Sequence, residues 1–211
     1  LPKEKLFMRI VASENTPVVN FGLILSFVIF YIAGAYNRSI FESLSFSPSL
    51  FFDRFPLWRI FSYAFLHYSF FHLAINSIFI YVFGNSLEVK IGHRQYFLLF
   101  ISAAAVSAMF YAVFNANTDF PIIGASGGIS AVVAGYAYHF SDQNQRGLRA
   151  PLFLYSFSRI FILIFIAIWF VIQYINSIMA FTYKTDTGWL VHVGGFVYGL
   201  LFSAVFGKEK N

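Results

Sequence analysis

The sequence predicts an all-α membrane protein, a six-transmembrane-helix bundle with both termini on the cytoplasmic side (N-in, C-in). Three observations carry this. The 211 residues are 59% hydrophobic and 22% aromatic, 30 of them Phe, and only 11% are charged, whereas a soluble domain carries about 25% charge. Six apolar runs approach the roughly 20 residues that a helix needs to cross a hydrocarbon core of about 30 Å. With the N-terminus inside, ten basic residues (Lys3, Lys5, Arg9, Lys90, Arg94, Arg146, Arg149, Arg159, Lys208 and Lys210) fall on the cytoplasmic side and four (Arg38, Arg54, Arg59 and Lys184) outside. That excess orients the chain.

The runs, in order, are Val18 to Tyr36, Ile60 to Phe83, Tyr96 to Phe114, Ser126 to Phe140, Arg159 to Phe181 and Trp189 to Phe206. The first follows a basic tail, residues 1–17, and is too long for a signal-peptide core, so it is expected to be retained as a span. Phe41, Leu44, Phe46, Leu50, Phe51, Phe52, Phe55 and Trp58, between the first two runs, suit an interfacial segment. The fourth run is short and needs its start or tilt to make up the length. A stub, 207–211, follows the sixth. One membrane domain over 18–206 is therefore expected. The chain has no cysteine, which excludes disulfides and thiolate chemistry. Its net charge of +5 is explained by topology, and aromatics filling apolar spans argue against nucleic-acid binding.

The second, fourth and sixth runs all start outside and run inward, and their unusual polar residues lie in or near the first half of each: His67, His72 and Asn76; Ser126; His192. Polar groups in hydrocarbon need partners, and a shared depth points to one polar pocket open to outside water. On a helix His72 and Asn76 lie one turn apart on the same face, able to aim an imidazole N–H and an amide NH2 at one point, as an oxyanion hole requires. His67, five residues before His72, would turn about 140° away on a continuous helix and reads as structural. His192, Gly195 and Gly199 share a face, and the last two form a GxxxG pair that allows close helix approach. Gly127, Ala131, Ala134 and Gly135 offer the matching small surface. Their meeting would bring Ser126 and His192 within hydrogen-bond reach.

Ser126 lies in Gly124-Ala125-Ser126-Gly127-Gly128, which also satisfies the G-x-S-x-G elbow of α/β hydrolases. That elbow needs a buried parallel sheet, and an open sheet leaves unpaired backbone in lipid. Here the glycines let backbone approach a substrate, while the start of the fourth helix, Ser126 included, aims N–H groups at a reacting carbonyl. A serine hydroxyl needs a base near neutral pH, and His192 is the candidate. Asp186 and Glu88 are poorly placed to orient that imidazole, which favours a dyad over a triad.

Taken in order, Trp58-Arg59, His67-x4-His72-x3-Asn76, Gly84-x3-Glu88, Gly124-Ala125-Ser126-Gly127 and His192-x2-Gly195-x3-Gly199 resemble the rhomboid intramembrane serine proteases over most of the chain. The resemblance implies Ser126 as nucleophile, His192 as base, and His72, Asn76 and the Ser126 backbone as oxyanion donors. It implies structural roles for Trp58, Arg59, His67, Glu88 and the glycines 124, 127, 195 and 199. It also implies a first loop lying partly in the membrane, a substrate gate beside the fifth helix, transmembrane protein substrates within the lipid bilayer, no cofactor or metal, and a plasma (bacterial inner) membrane with the site toward its outer face.

Two departures stand out. Many rhomboids carry an aromatic residue four positions after the serine, where it packs on the histidine; this chain has Ser130. The residue before the histidine, usually alanine, is Val191. Bland readings compete: Ser126 as a helix cap, Asn76 as helix glue, and Phe161, Phe165 and Trp169 as lipid-facing bulk. Among other classes, a catalytically silent client-binding relative would have lost the serine or the histidine. A metalloenzyme using His67, His72 and His192 lacks HExxH and a carboxylate at ligand spacing. A transporter would show an inverted repeat or an acid in mid-span.

Overall fold

The computed structural model describes residues 16–140, 160, 164, 166–172, 175 and 188–206. Lys3, Lys5, Arg9, Arg146, Arg149, Arg159, Lys184, Asp186, Lys208 and Lys210 lie outside them, as do Phe161, Phe165 and the stub 207–211. Among the described residues four helices are long and apolar enough to cross a membrane. These are α1 (Val18–Tyr36), α5 (Phe70–Ile91), α6 (His93–Phe114) and α8 (Trp189–Phe206). On α1 only Asn20, Leu23 and Phe27 are buried. Phe21, Leu25, Ile29 and Ile32 stay exposed, an apolar surface that a helix in water would not present and one in lipid does. The chain is an integral membrane protein.

Between α1 and α5 the chain folds into short helices, α2 (Arg38–Leu44), α3 (Pro48–Arg54) and α4 (Arg59–Ser62), followed by a 3-10 turn at Tyr63–Phe65. Asn37 caps α2 through Ser39 N–H, and Pro48 opens α3 at a position where its missing N–H costs nothing. Three bonds tie the segment together: Trp58 Nε1 to Ser43 O at 3.1 Å, Arg59 Nη1 to Ser45 O at 2.8 Å, and Ser62 Oγ to Leu44 O at 2.7 Å. Phe46 and Ile122 exchange backbone bonds of 3.2 and 2.8 Å. The segment is thereby fastened to the loop that precedes Ser126.

The second run departs from expectation. It does not continue from Ile60 to Phe83; Leu66 is extended, Ser69 caps a new helix by accepting from His72 N–H, and α5 begins at Phe70. The break falls where His67, Tyr68 and Ser69 interrupt the apolar run, and Ser69 supplies the cap. Within α5, Ile80–Gly84 forms a π turn. Asn20 Nδ2 donates to Ile80 O at 2.9 Å and to Asn85 Oδ1 at 2.7 Å, and Tyr96 O–H donates to Asn20 Oδ1. A Cβ at Gly84 would lie 2.2 Å from Tyr96 Oη and 2.4 Å from Asn20 Oδ1. Glycine is required for this polar knot. The third run starts at His93, three residues before the expected Tyr96.

At the centre stands α7 (Ser126–Phe140), 15 residues long, on which every residue from Gly127 to Tyr136 is buried. Among the described residues, its partners α6 and α8 make the largest helix contacts with it and with each other. A short helix is tolerated there because protein, not lipid, surrounds it. The α7–α8 crossing is close. A Cβ at Gly195 would lie 2.1 Å from Gly127 O, and one at Gly199 would lie 2.5 Å from both Cα and O of Ala131. Val191 reaches toward the space left by Gly127, its Cγ1 2.8 Å from where a Cβ would stand, so its extra bulk fits against a glycine.

Candidate active site

Ser126 is the first residue of α7 and His192 lies in the first turn of α8. The imidazole Nε2 is 2.7 Å from Ser126 Oγ across a sequence separation of 66 residues. That is a strong hydrogen bond by length, made possible by the glycine crossing one turn below. Both residues are half-buried.

The loop leading into Ser126 is shaped for the same corner. Gly124 has φ +116°, a conformation that other residues rarely adopt, and its N–H donates to Tyr63 O at 3.0 Å. A Cβ there would lie 2.7 Å from His72 Cε1, 2.8 Å from His72 Nε2 and 3.8 Å from Asn76 Nδ2. The backbone two residues before the serine thus lies directly against His72 and Asn76. Asn76 is 5% exposed, and its Nδ2 has no hydrogen-bond partner among the described residues. A buried amide donor left open is costly unless something else fills it. The first turn of α7 adds N–H groups that have no intrahelical acceptor.

His67 sits differently from the helical expectation. It precedes α5, so the 140° argument does not apply, and its ring lies 5.0 Å from that of His72 and 5.2 Å from Phe27. It backs His72 as packing. Trp58 and Arg59 belong to the first-loop clamp. Glu88 is at the opposite end of the bundle, fully buried, accepting from Val19 N–H at 2.9 Å and Asn20 N–H at 2.7 Å, with His93 Nδ1 at 2.5 Å. It caps α1, a carboxylate at a helix N-terminus.

Sequence reasoning passed over Asn20, although a lone asparagine in an otherwise apolar span is itself a signal of a buried partner. It also passed over Ser107, fully buried with Oγ 2.9 Å from where Cβ atoms of Gly127 and Gly195 would stand; nothing in its surroundings in the sequence marks it. Ser130, four positions after Ser126, turns its hydroxyl back to Ser126 O at 2.7 Å. Among the described residues Trp169 is an aromatic neighbour of His192, with ring centroids 6.0 Å apart. Trp169 is partly buried and packs against α8 through Phe196.

Fold and site together define a class: helical membrane proteins with a serine and a histidine hydrogen-bonded near the starts of two tightly crossed helices. A family model described as the Rhomboid domain matches residues 54–209, and the chain belongs to the rhomboid family. It is similar to the Rhomboid protease GlpG of Serratia proteamaculans (strain 568), 28% identical over 148 residues, covering 70% of this chain and 47% of the relative. The Rhomboid protease GlpG of Salmonella newport (strain SL254) is 21% identical over 195 residues, 92% of this chain and 63% of the relative. The chain therefore spans about half to under two thirds of the length of these curated relatives.

Proposed function

We propose that the chain is an intramembrane serine protease that hydrolyses a peptide bond in or near the outer part of a substrate's transmembrane helix. The observation that carries the reading is the 2.7 Å contact between His192 Nε2 and Ser126 Oγ, set between helices that are otherwise apolar. Ser126 Oγ attacks the carbonyl carbon as His192 takes its proton. His72, Asn76 and the N–H groups at the start of α7 hold the oxyanion. The tetrahedral intermediate collapses, His192 returns the proton to the leaving amine, and an acyl-enzyme remains. Water from the outer side, deprotonated by His192, hydrolyses that ester and restores the serine. No cofactor enters these steps.

In this reading the bundle has six spans, N-in and C-in, with α7 and the fifth apolar run, Arg159 to Phe181, added to the four long helices. Its substrates are transmembrane proteins reached within the bilayer. A continuous helix holds its amides in hydrogen bonds, so a good substrate carries small or helix-weakening residues near the cut. The test is a panel of tagged single-span proteins in proteoliposomes, with Ser126→Ala beside the native chain and a chelator in parallel. Cleavage that survives the chelator and disappears with Ser126→Ala, in a protein that remains folded, supports the proposal. Normal turnover by Ser126→Ala would sink it.

A further inference from the structure

His192 is bonded to Ser126 through one ring nitrogen, and that bond fixes a distance more tightly than it fixes the tilt of the ring. Rotation about the Cβ–Cγ bond of histidine has broad minima, so a base that must present Nε2 repeatedly needs a wall. One turn along α7 from Ser126 the side chain is Ser130, whose hydroxyl is spent on Ser126 O at 2.7 Å and offers no ring. The wall comes from elsewhere. The Trp169 indole lies 6.0 Å from the imidazole at an interplanar angle of 52° and stacks on Phe196 at 5.6 Å and 27°. Phe196 is one helical turn beyond His192 on α8 and is itself buried, with Phe170 packed edge-on against it at 5.1 Å. Aromatic pairs at these separations attract beyond their area burial.

We propose that Trp169 is the positioning residue for His192: one indole braces the base and the aromatic ring a turn below it, from the helical residues 166–172 rather than from α7. The inference rests on the reading of Ser126 and His192 as the reacting pair. Its consequence is a dependence of base orientation on where that stretch lies. A shift that carries Trp169 away from Phe196 releases the imidazole without touching either reacting group.

The experiment uses the full chain in detergent and a small fluorophosphonate, which needs no passage for a transmembrane substrate, with the adduct mapped to Ser126 by mass spectrometry. Trp169→Ala is expected to slow labelling by about tenfold or more, the scale of a small misplacement of a reacting group. On a single-span substrate it should lower kcat and leave KM nearly unchanged. Trp169→Phe should restore most of both, because a ring face remains. Val171→Ala, two positions beyond Trp169 at an exposed site, should label at close to the native rate. Melting temperatures are measured for each variant; if Trp169→Ala does not fold, Trp169→Leu, which keeps apolar bulk without a ring, decides. Native-rate or faster labelling of a folded Ala or Leu variant overturns the proposal and leaves Trp169 as packing. Failure of the native chain to label at Ser126 overturns the protease reading, and this inference with it.

Discussion

At the scale of single residues, the site is built from groups whose cost in lipid is recovered only when they act together. Asn76 is the sharpest case: a buried amide whose Nδ2 has no partner among the described residues, on the same helix face as His72 and facing Gly124. An oxyanion forming on a substrate would supply the missing acceptor. Asn76→Ala should therefore lower kcat by up to about 10² to 10³-fold, the range for a lost oxyanion donor, with little change in KM; an effect confined to KM would point to substrate positioning instead. Gly124 tests the loop that meets this donor. Its φ of +116° and the 2.7 Å separation between a would-be Cβ and His72 Cε1 mean that Gly124→Ala must displace the loop, the histidine or both. We expect at least about a 10²-fold loss of kcat/KM from a displacement near 1 Å, with the melting temperature falling as well. These residue types and their helical spacing were readable in the sequence, because polar side chains in apolar runs stand out. The identity of the ring beside His192 was not, since Trp169 sits among aromatics whose spacing carries no mark of which one turns inward.

Among the elements, the α7–α8 crossing sets the distance between Ser126 and His192. Gly195 and Gly199 meet Gly127 and Ala131 with no room for a side chain, and the Ser126–His192 contact lies at the end of that seam. Gly199→Val would place methyl groups against Ala131 Cα and O and pry the helices apart. It should cut both proteolysis and phosphonate labelling of Ser126 by about 10²-fold, the scale of a 1 Å displacement, and lower thermal stability in detergent. Ala204→Val, on the exposed face of α8, should do little, which separates the seam from general overpacking. Full labelling by Gly199→Val would show that the glycine face does not govern the dyad distance. The seam was legible because glycines three and seven residues after a histidine have few other uses in a span. The limits of α5 were not: His67, Tyr68 and Ser69 sit inside a longer apolar run, and which of them ends the turn and starts the helix depends on one serine hydroxyl bonding to His72 N–H. The π turn at Ile80–Gly84 was equally hidden, because it answers to Asn20 and Tyr96 on other helices.

For the molecule as a whole, two ends do different work. At one end Ser126, His192, His72 and Asn76 gather; at the other, Glu88 binds the first N–H groups of α1 and the ring of His93, locking α1 to α5 and α6. The assignment of these ends to sides of the membrane rests on basic residues alone, ten against four, and several of those lie outside the described residues. Charge bias is a property of sequence rather than of packing, so it was the part of the architecture most open to reading and needs a test in cells. The absence of native cysteine makes that test clean. A cysteine at Asp53, in the segment between α1 and α5, should react with a membrane-impermeant maleimide in intact cells whose outer barrier, if any, has been permeabilised. A cysteine at Gln143, in the segment after α7, should react only after the membrane carrying the protein is broken. In the N-in arrangement the positive-inside rule places Lys90 and Arg94, at the α5–α6 junction, on the same side as Gln143, so Glu88 must then lie at the cytoplasmic end and the dyad at the outer end. Labelling of Gln143→Cys in intact cells, with Asp53→Cys protected, would invert the topology. It would put the Ser126–His192 pair on the cytoplasmic side and require its water, and the substrate segment it cuts, to come from there.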